Sequence, residues 1–454
     1  MNKSKNSTRI LIQYLQGSSA VIITLALGKL VSLVWKIVLA RVGPEALGTT
    51  EVILTIITAL ASFSLLGVHT TLTRFAAIAI QQNRKSRAMS LLAFTTKACS
   101  LLSCIVLIAV YAYPAVLSFL GQTNQAAINA YAWLFPFVVA SEVVLAYLNA
   151  YRNVWGYGAG HYLIPPIIRL GLLLALLSIH WSPLAIVGDH LRFAVILTAV
   201  VNISQIIPYL RMSRLLSKTY VQQFIRYSIP TAGSFLLFSL YGAMDVLLLT
   251  KYMSLSTVGY YVAGVAIADA TDVIFLPLLT LFHSYLATFY NHITDGVIFT
   301  LKSTVTLLAL SVLIAVVIYT QKSFLIGLML GNTYAPIGAY IGILLFLKIT
   351  QSALILPLRH FLDFYGYVGN TFTLMATSLA VKLVIGLVFI PRIGLPGVFL
   401  MQGGSIFVHL MGIVFVILMV VRRRIKFVPN HGSFFSHVLR NATLRWARRS
   451  RAGH

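Results

Sequence analysis

Acidic residues are the scarcest chemistry in this chain. Nine Asp and Glu stand against 34 Lys and Arg, and charges of both signs together occupy only 9% of its 454 positions. No stretch is polar enough to fold as a separate water-soluble domain, so the chain reads as one polytopic unit. Cysteine is nearly absent. Cys99 and Cys104 lie five apart on one apolar segment, where a helix points them away from each other. That excludes a disulfide or metal pair between them and leaves lipid-facing or packing roles. There is no Gly-rich phosphate loop ending in Lys-Ser/Thr, so no cytoplasmic ATPase is encoded. No His/Cys cluster has metal-ligand spacing and no Ser/His/Asp set stands near a soluble pocket, so neither a metal site nor an enzyme is expected. The charged start from Met1 to Arg9 leads into a helix to about Ala40 without a small-residue cleavage site, which argues against a cleaved signal peptide.

What fills the space is apolar. Hydrophobic residues make up 59% of the chain and the mean hydropathy is +0.90, which places the long runs in lipid. The expected fold is an all-α polytopic membrane protein. Dividing the chain at its polar breaks gives about twelve spans of roughly 20 residues: 17–40, 51–73, 91–113, 128–149, 162–180, 193–210, 228–250, 258–281, 303–320, 336–357, 368–390 and 397–421. Of the 34 Lys and Arg, 23 fall on one side of these spans, five on the other (Arg41, Arg192, Lys251, Lys322, Arg392) and six inside. That asymmetry predicts both termini in the cytoplasm of a multi-pass cytoplasmic-membrane protein. The net charge of +25 is therefore an orientation signal and an attraction to anionic lipids at the basic loops and tail, not a nucleic-acid footprint. The tail after Val421 opens with Arg422, Arg423, Arg424 and Lys426, a stop-transfer cluster before a weak interfacial helix or a disordered basic segment.

Charges stranded inside the spans point to a polar cavity, since each costs roughly 2.5–3.5 kcal/mol at bilayer mid-depth. Lys29 lies near the middle of span one, and Ser32 and Lys36 extend a polar stripe along the same helix face. Lys36 is nearer the surface, where it can snorkel instead; Lys97 and Arg169, close to the cytoplasmic boundary, read as snorkelling too. On span four Phe135, Glu142 and Asn149 recur every seven residues and share a face. Phe135 and Tyr151 are candidate sugar platforms, and Gln351 a further polar candidate. Lys348 and Lys382 lie at mid-depth in spans ten and eleven, with Asp269 and Asp272 three apart on span eight. These four read either as structural ion pairs or as an ion-coupling site, a carboxylate taking up H⁺ or Na⁺, with Glu142 the corresponding acid of the first half; Lys348 and Lys382 are also candidate substrate ligands in the cavity. His409, alone on span twelve, reads as a packed polar residue.

The chain is also expected to be built twice. Trp35-Lys-Ile-Val-Leu-Ala-Arg-Val-Gly-Pro-Glu-Ala-Leu-Gly48 and Met244-Asp-Val-Leu-Leu-Leu-Thr-Lys-Tyr-Met-Ser-Leu-Ser-Thr-Val-Gly259 each run from a helix end through a short turn to a glycine at the mouth of the next helix. Their glycines are offset by 211 residues, close to half the chain. Parallel repeats predict two six-helix lobes, 1–210 and 228–421, about a central cavity, joined by a basic cytoplasmic linker 211–227 and followed by the tail 422–454.

The stretch Gly28 to Gly48 resembles the opening of the polysaccharide and O-antigen flippases of the multidrug/oligosaccharidyl-lipid/polysaccharide exporter superfamily. Leu65-Leu-Gly-Val-His-Thr-Thr-Leu-Thr-Arg-Phe-Ala76 is similar to their second span, and Asp245 to Ala263 to the start of their second lobe. Gly331-Asn-Thr-Tyr-Ala and Ile390-Pro-Arg-Ile-Gly-Leu-Pro-Gly397 fit their later connections. The resemblance implies alternating access by two lobes. The substrate would be an oligosaccharide carried on lipid through a pyrophosphate, and glycan-assembly enzymes are implied partners. Lysines suit such a substrate as point charges for phosphate oxygens.

Two other transport or enzyme readings compete. A multidrug exporter of the same superfamily would favour acids in its cavity, whereas span one carries two lysines. An O-antigen polymerase or glycosyltransferase would want a large outer loop, yet connections such as Pro114 to Ala127 and Gln321 to Ala335 stay near ordinary loop length. A scaffold for glycosyltransferases would leave the buried charges without a purpose.

Overall fold

The computed structural model describes residues 23–112, 121–179, 183–209, 216–271, 282, 286 and 293–423. Among these residues the chain is all helix and turn, with no strand. Eleven helices among the described residues are long and apolar enough to cross a membrane. In chain order the helices are α1 (Ile23–Val42), α2 (Pro44–Leu65), α3 (Val68–Gln81), α4 (Lys85–Ala112), α5 (Gln122–Ala150), α6 (Trp155–Ser178), α7 (Pro183–Ser204), α8 (Lys218–Tyr252), α9 (Leu255–Ala268), α10 (Ile293–Thr320), α11 (Ile341–Phe364), α12 (Val368–Ile393) and α13 (Leu395–Arg423). The expected span 258–281 corresponds to α9 and the turn Asp269–Thr271 that follows it; its remainder, including Asp272, lies outside the described residues. So do the first part of the linker and the tail beyond Arg423.

Several boundaries differ from the hydropathy reading, each for a local reason. Pro44 starts α2 seven residues early, because proline suits the first turn, where its missing N–H is no loss. Glu51 is thereby carried about two turns into the helix, not left at its edge. Leu66 and Gly67 both take left-handed backbone, which breaks the rod before it resumes as α3. Two neighbouring residues at positive φ cannot continue an α-helix. Helix α8 runs 35 residues from Lys218, so the part of the basic connection after Ser217 is helical.

Reciprocal glycine contacts join the two halves of the chain. A Cβ on Gly48 would lie 2.0 Å from the Leu255 carbonyl oxygen, and one on Gly259 only 1.8 Å from that of Pro44. Helices α2 and α9 therefore touch backbone to backbone, which only glycine permits. At the same, sparsely basic end of the bundle, Arg41 reaches across to the carbonyls of Gly327, Leu328 and Met329. Buried Asn124 donates to the Leu247 carbonyl at 3.0 Å. At the other end the aromatic rings of Phe75, Phe94 and Phe224 meet edge to face, packing α3 and α4 against the start of α8.

Candidate functional site

The first half encloses a cavity of about 320 Å³ lined from α1, α2, α5, α6 and α7. It is built by close helix approaches. A Cβ on Gly28 would lie 2.0 Å from the Tyr162 carbonyl oxygen, so α1 lies directly on α6 and carries Lys29 and Ser32 to the cavity wall. Helix α6 widens there into a π-turn over Ala159–Leu163, and His161 sits within it. On α7, Asn202 donates to Ser141 Oγ at 2.6 Å and to the Gly160 carbonyl at 3.2 Å. Those bonds tie α5, α6 and α7 together beside Glu142 and His161.

The charges meet at this wall. His161 Nδ1 lies 3.4 Å from Glu142 Oε1, and the two side chains keep 34% and 27% of their exposure, so the pair faces the cavity rather than packed protein. Arg169, a further lining residue, lies 5.5 Å over the Trp35 ring. Its placement corrects the snorkelling expectation, because α6 begins near Trp155 and puts Arg169 well inside the span. Lys29 has no carboxylate in ion-pair contact among the described residues. It is nevertheless near enough to Asp269 for their charges to interact.

The remaining candidates are placed elsewhere. Lys36 pairs with Glu51 at 3.5 Å. Phe135 is fully buried in the hydrophobic core and does not line the cavity, where Phe137 stands instead. A residue seven before Glu142 shares its helix face but lies about 10 Å along the axis, beyond the cavity. Tyr151 packs at a tilt against Tyr147 and Tyr209, with ring centres 5.1 and 4.6 Å away, at the end of α5. Gln351 lies half-buried in a π-turn of α11. Cys99 is buried and Cys104 exposed. His409 is buried on α13.

The second half holds its charges differently. Lys348 pairs with Asp269 at 2.5 Å. Among the described residues Lys382 pairs not with Asp269 but with Asp245. Its Nζ lies 2.7 Å from Asp245 Oδ1 on α8 and donates to the Tyr241 carbonyl at 2.7 Å, 4.0 Å from the centre of the Tyr241 ring. Gln402 and Tyr261 donate to Asp245 Oδ2 at 2.7 and 3.3 Å.

With this geometry in place, comparison with known proteins settles the family. The family model described as "Polysaccharide biosynthesis protein" matches residues 14–282, more than half the chain. The chain belongs to the polysaccharide biosynthesis protein family. No curated protein matches it in sequence. Among solved structures it is similar to an inward-facing multidrug resistance MATE transporter of the MOP superfamily, at 12% identity and TM-score 0.71, covering 90% of this chain and 99% of that one. It is also similar to the lipid II flippase MurJ in an inward closed conformation, at 13% identity and TM-score 0.66, covering 89% and 87%. A Vibrio cholerae MATE transporter aligns at 16% identity and TM-score 0.60, covering 93% and 98%. At these identities the structural likeness establishes the fold. The chain is a multi-pass membrane protein with the helical architecture shared by MATE transporters and MurJ.

Proposed function

We propose that this protein is a flippase that moves a lipid-linked, pyrophosphate-bearing oligosaccharide across the cytoplasmic membrane by alternating access. The supporting observation is Lys29. Of the mid-membrane lysines, Lys348 and Lys382 are spent on aspartates and Lys36 on a glutamate, whereas Lys29 faces the cavity with no such partner among the described residues, on the same lining as Arg169. Two cations against the single carboxylate of Glu142 suit a pyrophosphate better than a cationic drug. Ser32, Thr58, Tyr162 and Asn202 on the same lining offer hydroxyl and amide partners for sugar. Glu142 is the first candidate for coupling to H⁺ or Na⁺, with Asp269 and Asp272 as the second-half candidates.

In this reading both termini are cytoplasmic, the basic connections and tail lie against anionic lipid headgroups, and glycan-assembly enzymes supply and consume the substrate. Reporter fusions after Arg87, Arg214 and Arg424 should score cytoplasmic, and fusions near Gln122 and Gln321 external; one inverted result breaks the orientation. Function is tested by deletion. Loss of the protein should leave lipid-linked oligosaccharide trapped on the cytoplasmic leaflet, and purified protein should flip it in vesicles. Normal glycans together with new sensitivity to cationic drugs would replace this reading with a multidrug exporter.

A further inference from the structure

We infer that the Glu142–His161 pair is a proton site whose occupancy sets how tightly Lys29 and Arg169 hold an anion in the same cavity. The identity of that anion, a pyrophosphate diester, rests on the flippase reading; the linkage rests on the placement of the charges. Imidazole and carboxylate lie 3.4 Å apart and look onto the cavity wall that Lys29 and Arg169 share. A proton added to the pair raises the charge of this wall by one, whichever atom carries it.

The surroundings identify the pair as the place where the charge changes. From α1 the facing charge is Lys29 and from α6 Arg169, both cations. Helices α2 and α7 contribute no charged group to the lining, only Thr58, Thr198 and Asn202 beside apolar residues, although Glu51 of α2, paired with Lys36, is near enough for its charge to act on Arg169. Helix α3 brings His69 close enough for its charge to act on Glu142 and His161. Its ring is packed edge to face on Phe235 of α8, and its buried Nδ1 has no hydrogen-bond partner among the described residues. Tyr157 lies parallel to the His161 ring at 5.7 Å and Tyr162 edge-on at 4.6 Å. His161 is thus held between two aromatic rings with one nitrogen toward Glu142. Histidine is the side chain whose charge changes across physiological pH. Binding linkage is reciprocal, so an anion bound beside the pair draws in a proton, and a proton draws in the anion.

The test uses the full chain in lipid nanodiscs with a farnesyl-pyrophosphoryl N-acetylglucosamine probe. As a pyrophosphate diester, the probe keeps the same charge across the range. The wild type should bind it about tenfold more tightly at about pH 5.5 than at about pH 8, the scale expected of one added charge in a partly screened site. The double variant Glu142→Gln/His161→Gln should bind with less than about a twofold difference between the two, while His69→Gln should keep the wild-type ratio. A double variant that keeps the wild-type ratio overturns the proposal, as does a His69→Gln that loses it. If the double variant does not fold, the wild type decides alone. Adding probe in weak buffer near pH 6.5 should take up protons from solution, and no uptake overturns the linkage. Binding that is independent of pH sinks the linkage and leaves the flippase reading standing. Absence of binding at either pH sinks both.

Discussion

Lys29 and Lys382 are the same residue type at the same kind of depth, and the protein treats them in opposite ways. Lys382 is 2% exposed and its partner Asp245 13%. The Tyr241 carbonyl, Gln402 and Tyr261 complete the hydrogen bonding around the pair. Lys29 looks into a cavity where, among the described residues, no carboxylate is in ion-pair contact with it. A buried charge left unpaired is costly, and one fully paired has little left to offer a ligand. On the flippase reading the contrast gives structure to the second-half lysine and substrate chemistry to the first-half one. It also explains why neither could be ranked from hydropathy, which sees both as a cation in an apolar run.

The largest effect should come from changing Lys29. Lys29→Ala is expected to leave a folded, inserted protein that fails to flip substrate, and Lys29→Glu to be inactive through direct repulsion of the pyrophosphate. Lys29→Arg should keep part of the activity, since the charge survives while its geometry changes. Flipping in vesicles at matched protein levels measures all three. Full activity of Lys29→Ala would erase the contrast with Lys382 at its centre, even with the fold intact.

At Lys382 the loss should be of stability. Lys382→Ala leaves Asp245 buried and unpaired, and breaking such a pair costs about 3–5 kcal/mol. Lys382→Met combined with Asp245→Leu should recover most of that loss, because an apolar pair of similar volume is often neutral or stabilising. Thermal unfolding in detergent separates the two. If Lys382→Ala unfolds like the wild type but stops transport, Lys382 belongs with Lys29 and the division between the halves fails.

The glycine seam between the halves offers an intermediate effect. Gly259→Ala places a methyl 1.8 Å from the Pro44 carbonyl oxygen, where backbone must move rather than a side chain rotate. Overpacking of this kind costs about 1–3 kcal/mol. Gly242, with nothing within 4 Å of an added Cβ, is the control, and Gly242→Ala should unfold at the wild-type temperature or slightly above. Equal unfolding temperatures for the two variants would show that α2 and α9 are free to separate at this contact.

The helical class, the approximate number of spans and most of the charged candidates were legible in the sequence, because lipid demands long apolar helices and makes every interior charge conspicuous. His161 was not. The small-residue run Gly156-Tyr-Gly-Ala-Gly160 reads as a connection, which put the start of the fifth span at 162 and left His161 outside it. In the fold those small residues let neighbours approach: at Gly160 a Cβ would meet Leu145 and Asn202 at 2.4 and 2.7 Å. The same boundary error moved Arg169 to the membrane surface. The pairing of Lys382 was illegible for another reason. Asp245, Asp269 and Lys382 lie on three different helices, and helical spacing ranks residues along one helix without saying which helices are neighbours.

The smallest effect should be at Lys36, where the comparison is sharpened rather than broken. Lys36 follows Lys29 by two turns on the same helix face, so a cavity-wide requirement for positive charge would make both essential. Its ammonium instead lies 3.5 Å from Glu51, with side-chain exposures of 18% and 24%. A partly exposed pair at that distance is worth roughly 1 kcal/mol or less. Lys36→Ala is therefore expected to flip substrate at close to the wild-type rate, with a small fall in unfolding temperature that Lys36→Ala/Glu51→Gln largely restores. Loss of flipping in Lys36→Ala that the double variant does not restore would mean that the phosphate path runs along the whole stripe from Lys29 to Lys36. The free lysine would then be the first step of that path rather than the site itself.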